Sequence, residues 1–218
     1  MSITILLTTT VTVQSHKCYL YQTNQDERKN TYLKSILKWL NETDFNIVLV
    51  ENSGYQFEEL QFLLEKYKSR FEIITFYERE LESCKFLENN NSKGASEVYS
   101  INYAYNNSNL LKKSTFIIKV TGRYFVPELQ EYLSKFDINN YDVLTQNDPE
   151  KCEIIGCHIK HFHDVFDNNL LDEKGDYTGH VEYVYKYRCS LYKNVLRAKI
   201  FQIEPTQRGG TSEIYNYI

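Results

Sequence analysis

The chain has 218 residues, 42% of them hydrophobic and 25% charged, and its 25 basic and 29 acidic side chains leave a net charge of −4. This is ordinary globular usage, which excludes global disorder, and a chain of this length buries roughly 70% of its unfolded surface without staples. The charges are well mixed and the nearest thing to a basic patch is Lys112-Lys113, which argues against nucleic acid as a partner.

Residues 3–7 form an apolar run rich in β-branched side chains, the pattern of a strand covered on both faces. That run lacks a basic flank and is too short for a bilayer, and no other stretch approaches membrane length. A helix is predicted over 26–41, where Tyr32, Leu33, Ile36, Leu37 and Leu40 recur at helical spacing. A strand over 45–50 stops at Glu51-Asn52-Ser53-Gly54, and a helix over 56–69 carries Phe57, Leu60, Leu64 and Tyr67 on one face. With a strand over 71–76 this makes β-α-β-α-β, which specifies a parallel sheet with right-handed crossovers.

A polar loop then leads to a helix opening near Gly94, with Val98, Ile101 and Tyr105 in register. The central strand over 115–120 ends in Thr121-Gly122-Arg123-Tyr124, and a short helix follows Pro127. Strands are expected over 141–145, 153–162 and 198–203, with helices over 164–171 and 180–192. No repeat or long linker interrupts the pattern. The chain therefore reads as one α/β domain with a mixed, mainly parallel central sheet flanked by helices.

Cys18, Cys84, Cys152, Cys157 and Cys189 are odd in number and lack framework spacing. Cys152 and Cys157 precede His158, His161 and His163, yet the close C-x2-C pairs of structural zinc sites are missing. Free thiols in a reducing, cytoplasmic setting are the expectation, with no metal ligands assigned.

In open α/β sheets ligands bind outside the carboxyl ends of the parallel strands. Four such ends are polar here: Thr8 and Thr9, then 51–54, then the loop closing in Lys93-Gly94, then 121–124. Asn-Ser-Gly also suits an ordinary turn. Lys93-Gly94 at a helix start would set backbone N–H groups and a cation against an anion, with Glu97 either capping the helix or solvated. The planar fork of Arg123 suits a diphosphate or a carboxylate, a surface ion pair being the alternative. Neither G-x-G-x-x-G nor a P-loop is present, so dehydrogenase and P-loop readings lose their main support.

These residues together resemble the small GT-A-type glycosyltransferases of bacterial surface-polysaccharide loci and large DNA viruses. The resemblance spans roughly 1–145. It rests on the helix containing Arg28, on Glu51-Asn52-Ser53-Gly54, on Lys93-Gly94 with Glu97, and on the strand over 116–124. That strand stands where GT-A enzymes place one ending in Asp-x-Asp.

The resemblance implies a single GT-A-like domain over 1–218, with a nucleotide-sugar-binding half to about 125 and an acceptor-side half beyond. The implied reaction moves a sugar from a UDP- or GDP-sugar to a glycan or other hydroxyl. Thr8, Thr9, Glu51, Asn52 and Ser53 would be nucleoside contacts. Arg28, Lys93 and Arg123 would be phosphate or sugar contacts, with Gly94, Glu97, Thr121 and Gly122 beside them.

Thr121-Gly122-Arg123 has no carboxylate pair, so a divalent metal stays open and Arg123 is expected to supply part of its charge. The acceptor needs a base, which the family draws from the C-terminal half. Glu182 ranks first, before His180 and Asp176. On one helix Glu182 and His180 would point roughly 200° apart, so only one should face substrate. The paired glycines after Arg208 allow close approach or a lid, with Arg208 covering the donor phosphates. A turnover-free GT-A-shaped scaffold and a nucleotidyltransferase are the rival readings. The oligomeric state stays open.

Overall fold

The computed structural model describes residues 2–148 and 151–218. Strand β1 (Ile3–Thr9) leads through a long loop to α1 (Gln25–Glu42) and β2 (Asn46–Glu51). Then come α2 (Gln61–Lys66), β3 (Phe71–Thr75), α3 (Lys93–Asn107), α4 (Asn109–Lys112) and β4 (Phe116–Thr121). The second half adds α5 (Leu129–Ser134), β5 (Val143–Gln146), β6 (Ile154–His158), α6 (Phe162–Val165) and α7 (Val181–Ser190). It ends with β7 (Val195–Ala198) and the hairpin of β8 (Gln202–Gln207) and β9 (Ile214–Tyr217). No described helix is long and apolar enough to cross a membrane.

The main sheet runs β3-β2-β1-β4-β6-β5-β7. Every neighbouring pair is parallel except the two that β6 makes with β4 and β5. The chain moves outward from β1 to β3 and then returns to the other side of β1 as β4. The order therefore reverses between β1 and β4, where Thr8 pairs with Thr121. A crevice opens at such a reversal because the loops leaving the two strands diverge.

Successive strand side chains face opposite layers. Ile5 and Leu7 pack with Tyr32, Ile36 and Trp39 of α1, whereas Leu6 packs with Val98 and Ile101 of α3. Each fully buried aliphatic side chain contributes roughly 1.5–3 kcal/mol. The same alternation puts Phe116, Ile118 and Val120 on the α1 layer, leaving Lys119 on the α3 layer. Asn24 caps α1 through Glu27 N at 3.0 Å, and Ser92 caps α3 through Ala95 N at 3.2 Å. Trp39 donates its indole N–H to Tyr124 O at 2.9 Å, which pins the loop carrying Arg123.

Four predicted elements differ. The helix expected over 56–69 is a short 3-10 turn at Glu58–Leu60 followed by α2. Phe57 is fully buried in a left-handed conformation with φ of 47°, which a continuous helix cannot contain. The strand expected over 153–162 stops at His158, and the following residues turn into α6 rather than a helix over 164–171. The last strand expected over 198–203 is split between two sheets, because Phe201 exchanges both backbone hydrogen bonds with Ile218. Pro205 sits within β8. A two-stranded ribbon leaves outer N–H positions free, so it tolerates proline.

Candidate functional site

A cavity of about 690 Å³ opens at the carboxyl ends of β1, β2 and β4. Thr8, Thr9, Asn52 and Thr121 line its sheet side. The floor is built around Lys119, whose side chain is fully buried. Its Nζ lies 2.8 Å from Glu97 Oε1, 3.0 Å from Cys152 O and 3.2 Å from Thr121 Oγ1. Glu97 also accepts from Thr8 Oγ1 at 2.8 Å. Burial acts against the ammonium charge, yet Glu97 and its neighbours hold the pKa above the ordinary lysine value. Glu97 is thus not the helix cap and is only partly solvated: Ser92 caps α3 and Glu97 answers the buried lysine.

One wall is a second ion pair. Glu78 lies 3.4 Å from Lys17 and accepts from Asn52 Nδ2 at 3.0 Å, Ser96 Oγ at 3.0 Å and Gln14 Nε2 at 3.3 Å. Asn52 also accepts from Thr10 Oγ1 at 2.7 Å. Glu51 and Ser53 work from behind rather than lining the cavity. The fully buried Glu51 carboxylate accepts from Thr9 Oγ1 at 2.8 Å and Ser53 N at 2.7 Å, and also from the Ser53 hydroxyl. Burial pushes its pKa up. It therefore shapes the loops after β1 and β2.

Another part of the wall is cationic, with Arg28, Lys93, Arg123 and Arg208 all lining it. Arg28 is buried and braces the loop after β1 through Thr10 O at 2.7 Å, Gln22 O at 2.9 Å and Tyr32 OH at 2.8 Å. Arg123 donates to Gln22 Oε1 at 3.1 Å and Gln207 O at 3.3 Å, with its guanidinium 5.8 Å from the Tyr32 ring centre. Lys93 donates to Tyr19 O at 2.6 Å, and Arg208 pairs with Glu213 at 3.5 Å. Burial lowers the Lys93 pKa, and Arg123, Arg208 and Arg28 lower it further while Glu182 raises it. This wall carries more positive charge than its acidic neighbours neutralise.

The C-terminal hairpin covers that wall. Gly209 O accepts from Tyr21 N at 3.0 Å, and a Cβ on Gly209 would lie 2.4 Å from Arg123 Nη2. A Cβ on Gly210 would lie 2.9 Å from Lys93 Nζ. Gly210 is the more constrained of the two, because its Cβ would also lie 2.9 Å from the backbone Tyr19 O, whereas Gly209 meets only the end of the Arg123 side chain.

No family model matches the chain, and no curated protein matches it. Solved structures do. The chain aligns over 92% of its length with residues 1–349 of Staphylococcus aureus TarS at 13% identity and a TM-score of 0.51, covering 59% of that chain. TarS 1–349 has also been solved in complex with UDP-GlcNAc, at a TM-score of 0.50. It aligns over 90% with the bifunctional glycosyltransferase WbbM, at 10% identity and a TM-score of 0.51, covering 38% of that chain. The glycosyltransferase GlyE of Streptococcus pneumoniae TIGR4 gives 9% identity and a TM-score of 0.50, with 91% of this chain and 45% of that one covered. The chain has the fold of GT-A glycosyltransferases. It spans little more than half of the TarS chain and less than half of the other two.

The β4 end carries Thr121-Gly122-Arg123, with no carboxylate among the three. Gly122 lies behind the cavity, its N–H on Thr8 O at 2.9 Å, and a Cβ there would lie 2.7 Å from Thr8 O and 2.6 Å from Thr9 Cγ2. Gly122→Ala is accordingly expected to destabilise the fold by about 1–3 kcal/mol through overpacking against backbone. Urea denaturation measures this, and an unchanged midpoint would contradict the close packing. Gly94 plays a matching part at the start of α3, where a Cβ would lie 2.4 Å from Val181 Cγ1.

His180 and Glu182 both line the cavity. They were expected to diverge by helical geometry, but α7 begins at Val181 and His180 precedes it as the cap residue. Asp176 is exposed in the turn closed by Asp172 and does not line the cavity. Lys17, Glu78, Lys119 and Glu153 also line it, and sequence reasoning did not single them out. Only Lys119 left a legible signal, as the one charge inside the buried run Phe116-Ile117-Ile118-Lys119-Val120.

Proposed function

We propose that this protein transfers a sugar from a nucleoside-diphosphate sugar, a UDP- or GDP-sugar, to a hydroxyl of a glycan or similar acceptor. The reading is carried by the cationic wall of Arg28, Lys93, Arg123 and Arg208 at the β1–β4 reversal of a GT-A fold. A bound diphosphate would relieve the mutual repulsion that helps to lower the Lys93 pKa. It would also sit where leaving-group charge develops, where fixed cations act most strongly. Arg123 is the central one, because its fork can grip two phosphate oxygens at once. Thr8, Thr9 and Asn52 line the cavity on the nucleoside side, with Glu51 and Ser53 holding their loops in shape.

Among the described residues, no group of three His, Cys, Asp or Glu side chains is placed to hold a divalent cation. At the β4 end the Thr121 hydroxyl accepts from Lys119 at 3.2 Å, and Arg123 adds positive charge beside it. Glu182 answers Lys93 at the start of α7, where a carboxylate is also favoured by the helix dipole.

Calorimetric titration with uridine, UMP and UDP, and with the guanosine series, tests this reading. Affinity is expected to climb with each phosphate in one of the two series and to weaken as salt is raised. Equal affinity for nucleoside and diphosphate would contradict a phosphate-holding wall. Tight donor binding without release of the diphosphate would point to a scaffold rather than an enzyme.

A further inference from the structure

Four carboxylates line the cavity: Glu78, Glu97, Glu153 and Glu182. Glu78 is occupied by Lys17, Asn52, Ser96 and Gln14, and Glu97 by Lys119 and Thr8. Glu182 sits in the field of Lys93 in the first turn of α7, half-buried. Glu153 stands apart. The residue is 9% exposed, and its Oε2 finds no hydrogen-bond partner among the described residues.

Its place in the fold is equally specific. Glu153 O accepts from Thr121 N at 3.0 Å, so the residue flanks the end of β4 one position before β6. It thus borders both the Lys119 floor and the start of the 121–123 turn leading to Arg123. A buried carboxylate oxygen left without a partner is costly for the fold, which argues that the position serves chemistry.

Resting on the transferase reading above, we propose that Glu153 is the catalytic base that deprotonates the acceptor hydroxyl. As the acceptor oxygen bonds to the anomeric carbon, its proton passes to a Glu153 carboxylate oxygen. The bond from the anomeric carbon to the diphosphate oxygen breaks, and that electron pair leaves with the nucleoside diphosphate against the cationic wall. Desolvation strengthens a carboxylate as a base. Burial raises the Glu153 pKa, while a hydrogen bond from its own backbone N–H and then Lys119, Arg208 and Lys151 act to lower it. The other titratable groups facing it are Tyr124 beyond β4, Tyr215 of β9 and its neighbour Cys152.

The test compares Glu153→Gln, Glu153→Asp and Glu182→Gln. Release of nucleoside diphosphate is followed from UDP-glucose, UDP-GlcNAc, GDP-mannose and GDP-fucose, with water as acceptor, from pH 5 to 9. In the wild type, the rate is expected to rise with pH as Glu153 ionises. Glu153→Gln is expected to lose roughly 100-fold or more in rate and the acidic limb of the profile, with donor affinity changed less than threefold. Glu153→Asp should retain part of the rate and the limb.

A wild-type rate in Glu153→Gln, or loss of the acidic limb only in Glu182→Gln, overturns the assignment. Donor binding by the wild type without release overturns both the base and the transferase reading. Failure of all four donors to bind defeats the transferase reading at an earlier, separately measured step, and the base with it.

Discussion

Arg123→Ala is expected to lower turnover with the cognate nucleotide-sugar by about 100- to 1,000-fold, the usual cost of removing one preorganised donor to developing charge. The guanidinium is fixed before substrate arrives, by Gln22 Oε1, Gln207 O and the Tyr32 ring. Preorganisation of this kind requires little rearrangement during the reaction. The variant should still fold, because Trp39 and Gly122 hold the loop by bonds that do not involve the Arg123 side chain. Arg123→Lys should fall between, since it keeps the charge but loses the planar fork. Steady-state rates and thermal midpoints of the two variants separate chemistry from stability. Turnover within threefold of wild type in Arg123→Ala would remove the residue from the site.

The second large effect concerns stability. Glu97→Ala leaves Lys119 charged or forced neutral in a fully buried position, and breaking such a pair costs about 3–5 kcal/mol. Glu97 is itself 20% exposed on its side chain, so water reaches part of the pair and the lower end of that range is expected. Replacing both partners together, Lys119→Met with Glu97→Leu, should recover most of the loss, because an apolar pair of similar volume avoids desolvating two charges. Urea denaturation of the single and double variants gives the comparison. A loss below about 1 kcal/mol in Glu97→Ala would place the pair with ordinary surface ion pairs.

The first half of the fold was legible because its strands are apolar runs separated by helical periods, and the order β-α-β-α-β leaves little topological choice. The second half was less so. The chain reverses in β6, and the sequence over 198–207 feeds two different sheets. What decides that split is a long-range exchange between Phe201 and Ile218, which no local pattern encodes.

The site divides in the same way. Thr8, Asn52, Lys93 and Arg123 stand at strand or helix ends, where topology alone predicts a crevice. Lys17, Glu78 and Glu153 come from loops whose polarity looks like that of any surface turn. Their burial became visible only when the loop after β1 and the C-terminal hairpin were placed over the sheet. Glu51 shows the converse: it stands at a strand end as expected, yet its carboxylate is closed in by Thr9, Val11 and Ser53.

On the transferase reading, fixed cations hold the nucleotide-sugar. A thermal-shift screen of the full chain against UDP-, GDP-, CMP- and dTDP-sugars, in EDTA and then in Mn²⁺, tests it most directly. Ligand that binds the native state raises the melting temperature by mass action, about 2.7 kcal/mol of stabilisation at 100 times the dissociation constant. A clear upward shift is expected with a UDP- or GDP-sugar in EDTA, little changed by Mn²⁺ and lost in Arg123→Ala. A shift that appears only with Mn²⁺, or none with any donor, would contradict it.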